Sequence, residues 1–198
     1  MQAQQARITH DVSFPREALA SIKTDDSPVA TIITGVRRCG KSTLVEQLMA
    51  RYPDDSLLLN FDVPRLYGFQ MEDFRRLDAI IADKGCRHLF FDEIQVVTGW
   101  EMYINQKLQE GYQVVITGSN ASLLSRELGT HLTGRHIDSV LYPFSYTEYC
   151  GIKGVQASAG TFSDYLATGG FPAYIRWQDE RLLNELANDI LYRDILVR

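Results

Sequence analysis

No run of roughly 18 or more apolar residues occurs in the 198-residue chain, so a membrane-spanning helix is not expected. The N-terminal stretch MQAQQARITHDVSF holds no apolar core and does not read as a secretory signal. Cysteine is scarce. Cys39, Cys86 and Cys150 are too few and too scattered for a disulfide framework, which points to reduced thiols and a cytoplasmic protein. The four histidines (His10, His88, His131 and His136) have no metal-ligand spacing, and Cys86 with His88 reads as a strand entrance. A basic excess is also missing. The formal charge is −5, so nothing global draws the chain to nucleic acid or to an anionic membrane. Internal repeats and low-complexity tracts are absent from the sequence.

What is present is an ordinary globular composition, 45% hydrophobic and 23% charged. A chain of this length buries roughly 70% of its unfolded surface. Short apolar runs at 29–34, 57–61, 88–92, 113–117 and 137–142 alternate with stretches of helical period, the pattern of a parallel α/β sheet. The cores TIIT, LLLNF, LFFD and VVIT are almost continuously apolar, as strands covered on both faces require. Between them, helices are predicted over 41–51 (Leu44, Val45, Leu48, Met49), 71–83 (Phe74, Leu77, Ile80, Ile81) and 100–108 (Trp100, Tyr103, Ile104, Leu108).

After Pro143 the strand-like runs stop, and helices are expected at 145–150, 162–168 and 180–197, with 151–160 as a loop. Three parts are therefore predicted: an N-terminal helix and linker (1–28), an α/β core (29–143) and a small helical subdomain (144–198). The last predicted helix carries the stripe Leu182, Leu183, Leu186, Ile190, Leu191, Ile195 and Leu196, read mainly as core. It lacks a stop signal, so the subdomain is expected to be cut short on its C-terminal side.

The pattern G-x-x-x-x-G-K-[ST] is met by Gly35, Gly40, Lys41 and Ser42. It follows an apolar strand and opens an amphipathic helix, the setting in which successive backbone N–H groups and a helix N-terminus face phosphate oxygens. Gly35, Arg37, Cys39, Gly40, Lys41, Ser42 and Thr43 are thus candidate nucleotide contacts. Lys41 is expected on the β- and γ-phosphates, Ser42 on Mg²⁺ and Thr43 near the α-phosphate. Arg38 is expected to be solvated.

Fifty residues further, Leu89-Phe90-Phe91-Asp92-Glu93 is an apolar strand ending in two carboxylates. Asp92 suits the acidic partner of Mg²⁺ beside a triphosphate. Glu93, displaced by the alternation of strand side chains, suits a base for an attacking water. The strand 114–117 then ends in Gly118-Ser119-Asn120. Ser119 or Asn120 could orient the water or sense the phosphate if this strand is inserted beside the loop's strand; a turn capping the next helix is the competing reading. Asp62 and Arg65, past the second strand, have either a site-facing or a turn role.

This order of motifs resembles the AAA-like ATPases with an additional strand. Phe91-Asp92-Glu93-Ile94-Gln95, Leu132-Thr133-Gly134-Arg135, Tyr142-Pro143-Phe144-Ser145-Tyr146-Thr147-Glu148-Tyr149 and Gly169-Gly170-Phe171-Pro172 narrow it to the archaeal-type prokaryotic ATPases. The resemblance implies a P-loop NTPase three-layer sandwich with strand order 5-1-4-3-2, a helical region behind it and a further C-terminal domain. It also implies that Arg135 contacts the γ-phosphate within one subunit or across a boundary, a surface pairing with a carboxylate being the competing reading, that the protein could form a homo-oligomer, and that a protein or DNA partner would engage the further domain.

Two functions follow. In one, ATP with Mg²⁺ is hydrolysed to drive or time a conformational change in an attached or partner module. In the other, ATP occupancy alone switches a regulatory or DNA-associated protein. Glu93 favours the first, because occupancy needs no water-activating carboxylate. A small-molecule kinase would need an acceptor pocket or an Arg-rich lid, neither of which the sequence shows.

Overall fold

A computed structural model describes residues 14–22, 24, 29–119 and 134–192. After a short helix α1 (Ala18–Ser21), the order is β1 (Ala30–Thr34), α2 (Lys41–Met49), β2 (Ser56–Asn60), α3 (Phe74–Lys84), β3 (His88–Asp92), α4 (Trp100–Gln109), β4 (Gln113–Gly118) and β5 (His136–Val140). The helices α5 (Tyr146–Lys153), α6 (Ala159–Thr168), α7 (Pro172–Trp177) and α8 (Glu180–Asp189) follow. The strands form one parallel sheet in the order β2-β3-β4-β1-β5, the expected order read from the other edge.

Strand alternation divides the apolar runs between two faces. Ile32, Leu57, Leu59, Leu89, Phe91, Val114 and Ile116 join α3 and α4 in one core. Their neighbours Ile33, Leu58, Phe90 and Val115 join Leu44, Val45 and Leu48 of α2 in the other. A sheet coated on both sides is why these strands read as continuous apolar runs. The edge strand β5 (HIDSV) differs, with Ile137 and Val140 exposed.

Several boundaries depart from expectation. Residues 71–73 form a 3-10 turn before α3, and Ile80 lies on its outer face. The loop expected over 151–160 shrinks, because α5 runs on to Lys153 and the Ser158 hydroxyl caps α6 by accepting from the Thr161 amide at 3.1 Å. Helix α8 ends at Asp189 in a π turn over 190–192. Of its apolar stripe only Leu186 is buried, while Leu191 is exposed; Ile195 and Leu196 lie outside the described residues. The Cys86–His88 pair is structural: Cys86 is buried, and His88 stacks on Tyr52 at 3.7 Å.

A third cluster joins Phe14 to Phe144, Tyr149, Cys150 and Ile175, so the N-terminal segment packs on the C-terminal helices. Beside it lies a buried ion pair, with Arg16 Nε 2.8 Å from Glu148 Oε1. Glu148 also accepts from the amides of Ser145 (2.9 Å) and Glu17 (2.8 Å). Burial pushes the Glu148 carboxyl up, but Arg16 and these two amides outweigh it and hold the group below its ordinary value. Such a carboxyl contributes stability above the ordinary Glu range and loses that contribution as pH falls through its folded value. Stability is therefore expected to decline below about pH 4.3. Glu148→Gln should flatten that acid limb and cost about 3–5 kcal/mol near neutrality. Denaturant titrations across pH check this, and an acid limb unchanged in the variant would contradict it.

Candidate nucleotide site

The loop between β1 and α2 begins where β1 leaves the sheet. Gly35 has φ +152°, and a Cβ there would stand 2.2 Å from the Leu141 carbonyl oxygen. Gly40, the cap of α2, has φ +102°, a conformation that favours glycine. Arg38 holds a left-handed backbone (φ +61°) without being glycine, and its guanidinium is 3.7 Å from Asp189 of α8. It is exposed, as expected, and faces a carboxylate of a C-terminal helix. The Cys39 side chain is fully buried in the α2-side core, so only its backbone is offered to the loop. Burial raises its thiol pKa against the opposing pull of Lys41 and Arg16.

Lys41 is nearly buried, and its Nζ donates to the carbonyls of Gly35 (3.0 Å) and Val36 (3.3 Å). The same ammonium is 3.7 Å from Glu93 Oε1. Glu93 leaves β3 in a left-handed conformation (φ +54°), so its direction is set by this turn, whereas pleat alternation was the expected cause. Its Oε2 accepts from the Ser119 amide (3.2 Å), the Ser119 hydroxyl (3.1 Å) and Gln95 Nε2. Insertion of β4 between β1 and β3 brings Ser119 here.

Asp92 is buried at the end of β3. It accepts from Ser42 Oγ at 2.7 Å, from Asn60 Nδ2 at 2.9 Å and from the Thr117 hydroxyl. Thr117 Oγ1 in turn accepts the Glu93 amide at 3.1 Å, so one threonine orients both carboxylate residues. Burial raises the Asp92 pKa, opposed by the Thr117 and Ser42 hydrogen bonds and assisted by Glu93. Ser42 and Asp92 offer the adjacent hard oxygen donors that a divalent cation could use. Among the described residues, no three His, Cys, Asp or Glu side chains are grouped to hold a metal by themselves.

A cleft of about 1150 Å³ opens over the loop. Arg37, Gly40, Lys41, Ser42, Thr43 and Glu93 line its phosphate-facing end. Phe14, Pro15, Phe144, Ile152 and Ile175 add apolar lining, alongside the charged Lys153, Arg176 and Asp189. Asp62 lines the cleft, and its amide donates to Asn60 Oδ1; Arg65 lines a separate depression.

Two expected residues are not gathered here. Asn120 lies outside the described residues. Arg135 stands just before β5, where its carbonyl accepts from Ala30 at the start of β1, so it lies at the opposite end of the sheet from the loop. Five strand residues separate the two ends by roughly 16 Å. Its exposed guanidinium donates to Asn105 instead (3.2 Å), and contact with its own chain's phosphate loop is excluded.

Asn60, Thr117 and Arg176, the last also lining the cleft, were missed by sequence reasoning. The signal for the first two was available, since each is a polar residue in or closing an otherwise apolar run (SLLLN, VVIT) beside the strand that ends in Asp92.

A β1–loop–α2 phosphate cradle in a parallel sheet with β4 inserted between β1 and β3 defines a nucleotide-binding P-loop fold. A family model described as an AAA domain matches residues 27–150, and the chain belongs to this family of AAA-like P-loop ATPases. It is 31% identical over 184 residues to an uncharacterized protein of Methanocaldococcus jannaschii, covering 84% of this chain and 42% of that one. An uncharacterized protein of Haemophilus influenzae is 32% identical over 197 residues, with 89% and 48% covered. The chain thus spans less than half the length of these relatives. Its fold is similar to S. cerevisiae Hsp104 in an extended casein complex, with a TM-score of 0.57 at 18% identity, over 97% of this chain and 40% of that one. No helix among the described residues is long and apolar enough to cross a membrane.

Proposed function

We propose that the chain binds ATP with Mg²⁺ and hydrolyses it to drive or time a conformational change in an attached or partner module. The observation that carries this reading is the Glu93 carboxylate, held by Ser119 next to Lys41 at the mouth of the phosphate loop. A carboxylate fixed there can accept a proton from water as the water oxygen bonds to the γ-phosphorus and the bond to the β–γ bridging oxygen breaks, releasing ADP. Lys41 and the loop amides bind the phosphate oxygens, and the apolar part of the cleft lining receives the base. Ser42 would hold Mg²⁺, with Asp92 accepting from its water shell, and the ion when bound supplies neutralisation of the phosphate charge.

Arg135 fits this scheme across a subunit boundary. A guanidinium supplied by a second copy would offset charge spreading over the transferring phosphoryl group. Mixing Arg135→Ala with Lys41→Ala protein should then restore part of the activity that each lacks alone. No recovery at any ratio would remove Arg135 from the mechanism.

The contact of Arg38 with Asp189 supports a second reading. It links the loop to α8, so nucleotide occupancy alone could shift the C-terminal helices. Phosphate release from ATP·Mg²⁺, followed over a protein concentration series with and without DNA, separates the two. Turnover supports hydrolysis, and tight binding without release supports occupancy; an absence of binding overturns both.

A further inference from the structure

The buried Arg16 lies outside the phosphate loop motif, yet its guanidinium ties the loop to two segments distant in sequence. Its guanidinium donates to Cys39 O at 2.7 Å, Tyr142 O at 2.8 Å and both Glu148 oxygens, at 2.8 and 3.3 Å. The plane also lies 4.7 Å from the centre of the Phe144 ring. Burying an ion pair is poor value for stability alone, since apolar residues of the same volume do as well or better. The positions of its partners suggest a different use. Cys39 belongs to the phosphate loop, Tyr142 to the link out of β5, and Glu148 to the first turn of α5.

In a trans peptide the carbonyl and the following N–H point in opposite directions. A guanidinium fixed on Cys39 O therefore turns the Gly40 N–H away from itself and into the loop, where an anion would lie. The contact is tight: a Cβ at Gly40 would stand 2.8 Å from Arg16 Nη1, so the guanidinium backs directly onto the loop. Glu148 fixes the guanidinium in turn, and the Ser145 and Glu17 amides fix Glu148.

We propose that Arg16, held by Glu148, is a positioning residue for nucleotide phosphate, aiming the Gly40 amide. The inference rests on the reading of the loop as a nucleotide site.

It is tested with the full chain, using ATP and inorganic tripolyphosphate as probes on the wild type, Arg16→Lys and Glu148→Gln. Folding is checked by circular dichroism at the same temperature. Folded Arg16→Lys is expected to bind both probes about tenfold more weakly, since one ammonium cannot span acceptors on three residues. Affinity within about twofold of wild type in that folded variant would overturn the proposal. Should the variants not fold, nuclear magnetic resonance of the wild type decides. Tripolyphosphate should shift the Gly40 amide and the Arg16 Nε–H signals together, and a Gly40 shift with Arg16 unmoved would overturn it. A wild type that binds neither probe sinks the nucleotide reading itself, and this inference with it.

Discussion

Lys41→Ala is expected to weaken ATP binding by about 100-fold or more, a difference of roughly 2.8 kcal/mol. The size of the effect follows from where the ammonium sits. It is nearly buried, shielded from water and held by the Gly35 and Val36 carbonyls inside the loop, so its charge meets a phosphate with little screening. Alanine removes that charge, takes its hydrogen bonds from the Gly35 and Val36 carbonyls, the latter keeping the Cys39 amide, and removes the ammonium that faces Glu93. Isothermal calorimetry with ATP·Mg²⁺ gives the affinity, and thermal unfolding of the same sample shows whether the fold persists. Unchanged affinity in a folded variant would refute the assignment of the loop.

Glu93→Gln has the opposite profile, with ATP affinity within a few-fold of wild type and turnover lower by about 10²–10⁴. The glutamine is close to isosteric, and its carbonyl oxygen can still accept from the Ser119 amide and hydroxyl, so the local structure is kept. What it lacks is a site able to take a proton from water. Single-turnover phosphate release measures the step directly. Full hydrolysis by this variant would count against Glu93 and move attention to another base.

How much of this could be read from the sequence depends on the range of the interaction involved. Ile32 and Ile33 lie on opposite faces of one strand, and their apolar run was legible because both faces are covered. The loop was legible because its chemistry is local: two glycines, a lysine and a serine within eight residues. Strand β5 was harder to delimit, since HIDSV mixes polar residues with the exposed Ile137 and Val140, whereas β2 at the other edge keeps a buried apolar run. The position of Arg135 could have been deduced. A residue preceding a strand lies at the start of that strand, and in a parallel sheet every start is remote from a loop that follows a strand's end. Arg16 could not have been found so easily, because its partner Glu148 is 132 positions away and nothing periodic marks either residue.

That last contact has a practical consequence for dissecting the protein. The matched family segment starts at residue 27, after Arg16, and stops at residue 150, inside α5. Cutting the gene at those limits would strip away Phe14, Arg16 and α1 and expose the Glu148 carboxylate, the Cys39 carbonyl and the Phe144 ring to solvent or to one another. The segment that the family model matches is therefore shorter than the stretch expected to hold the phosphate loop in shape. Any minimal fragment should begin ahead of Phe14.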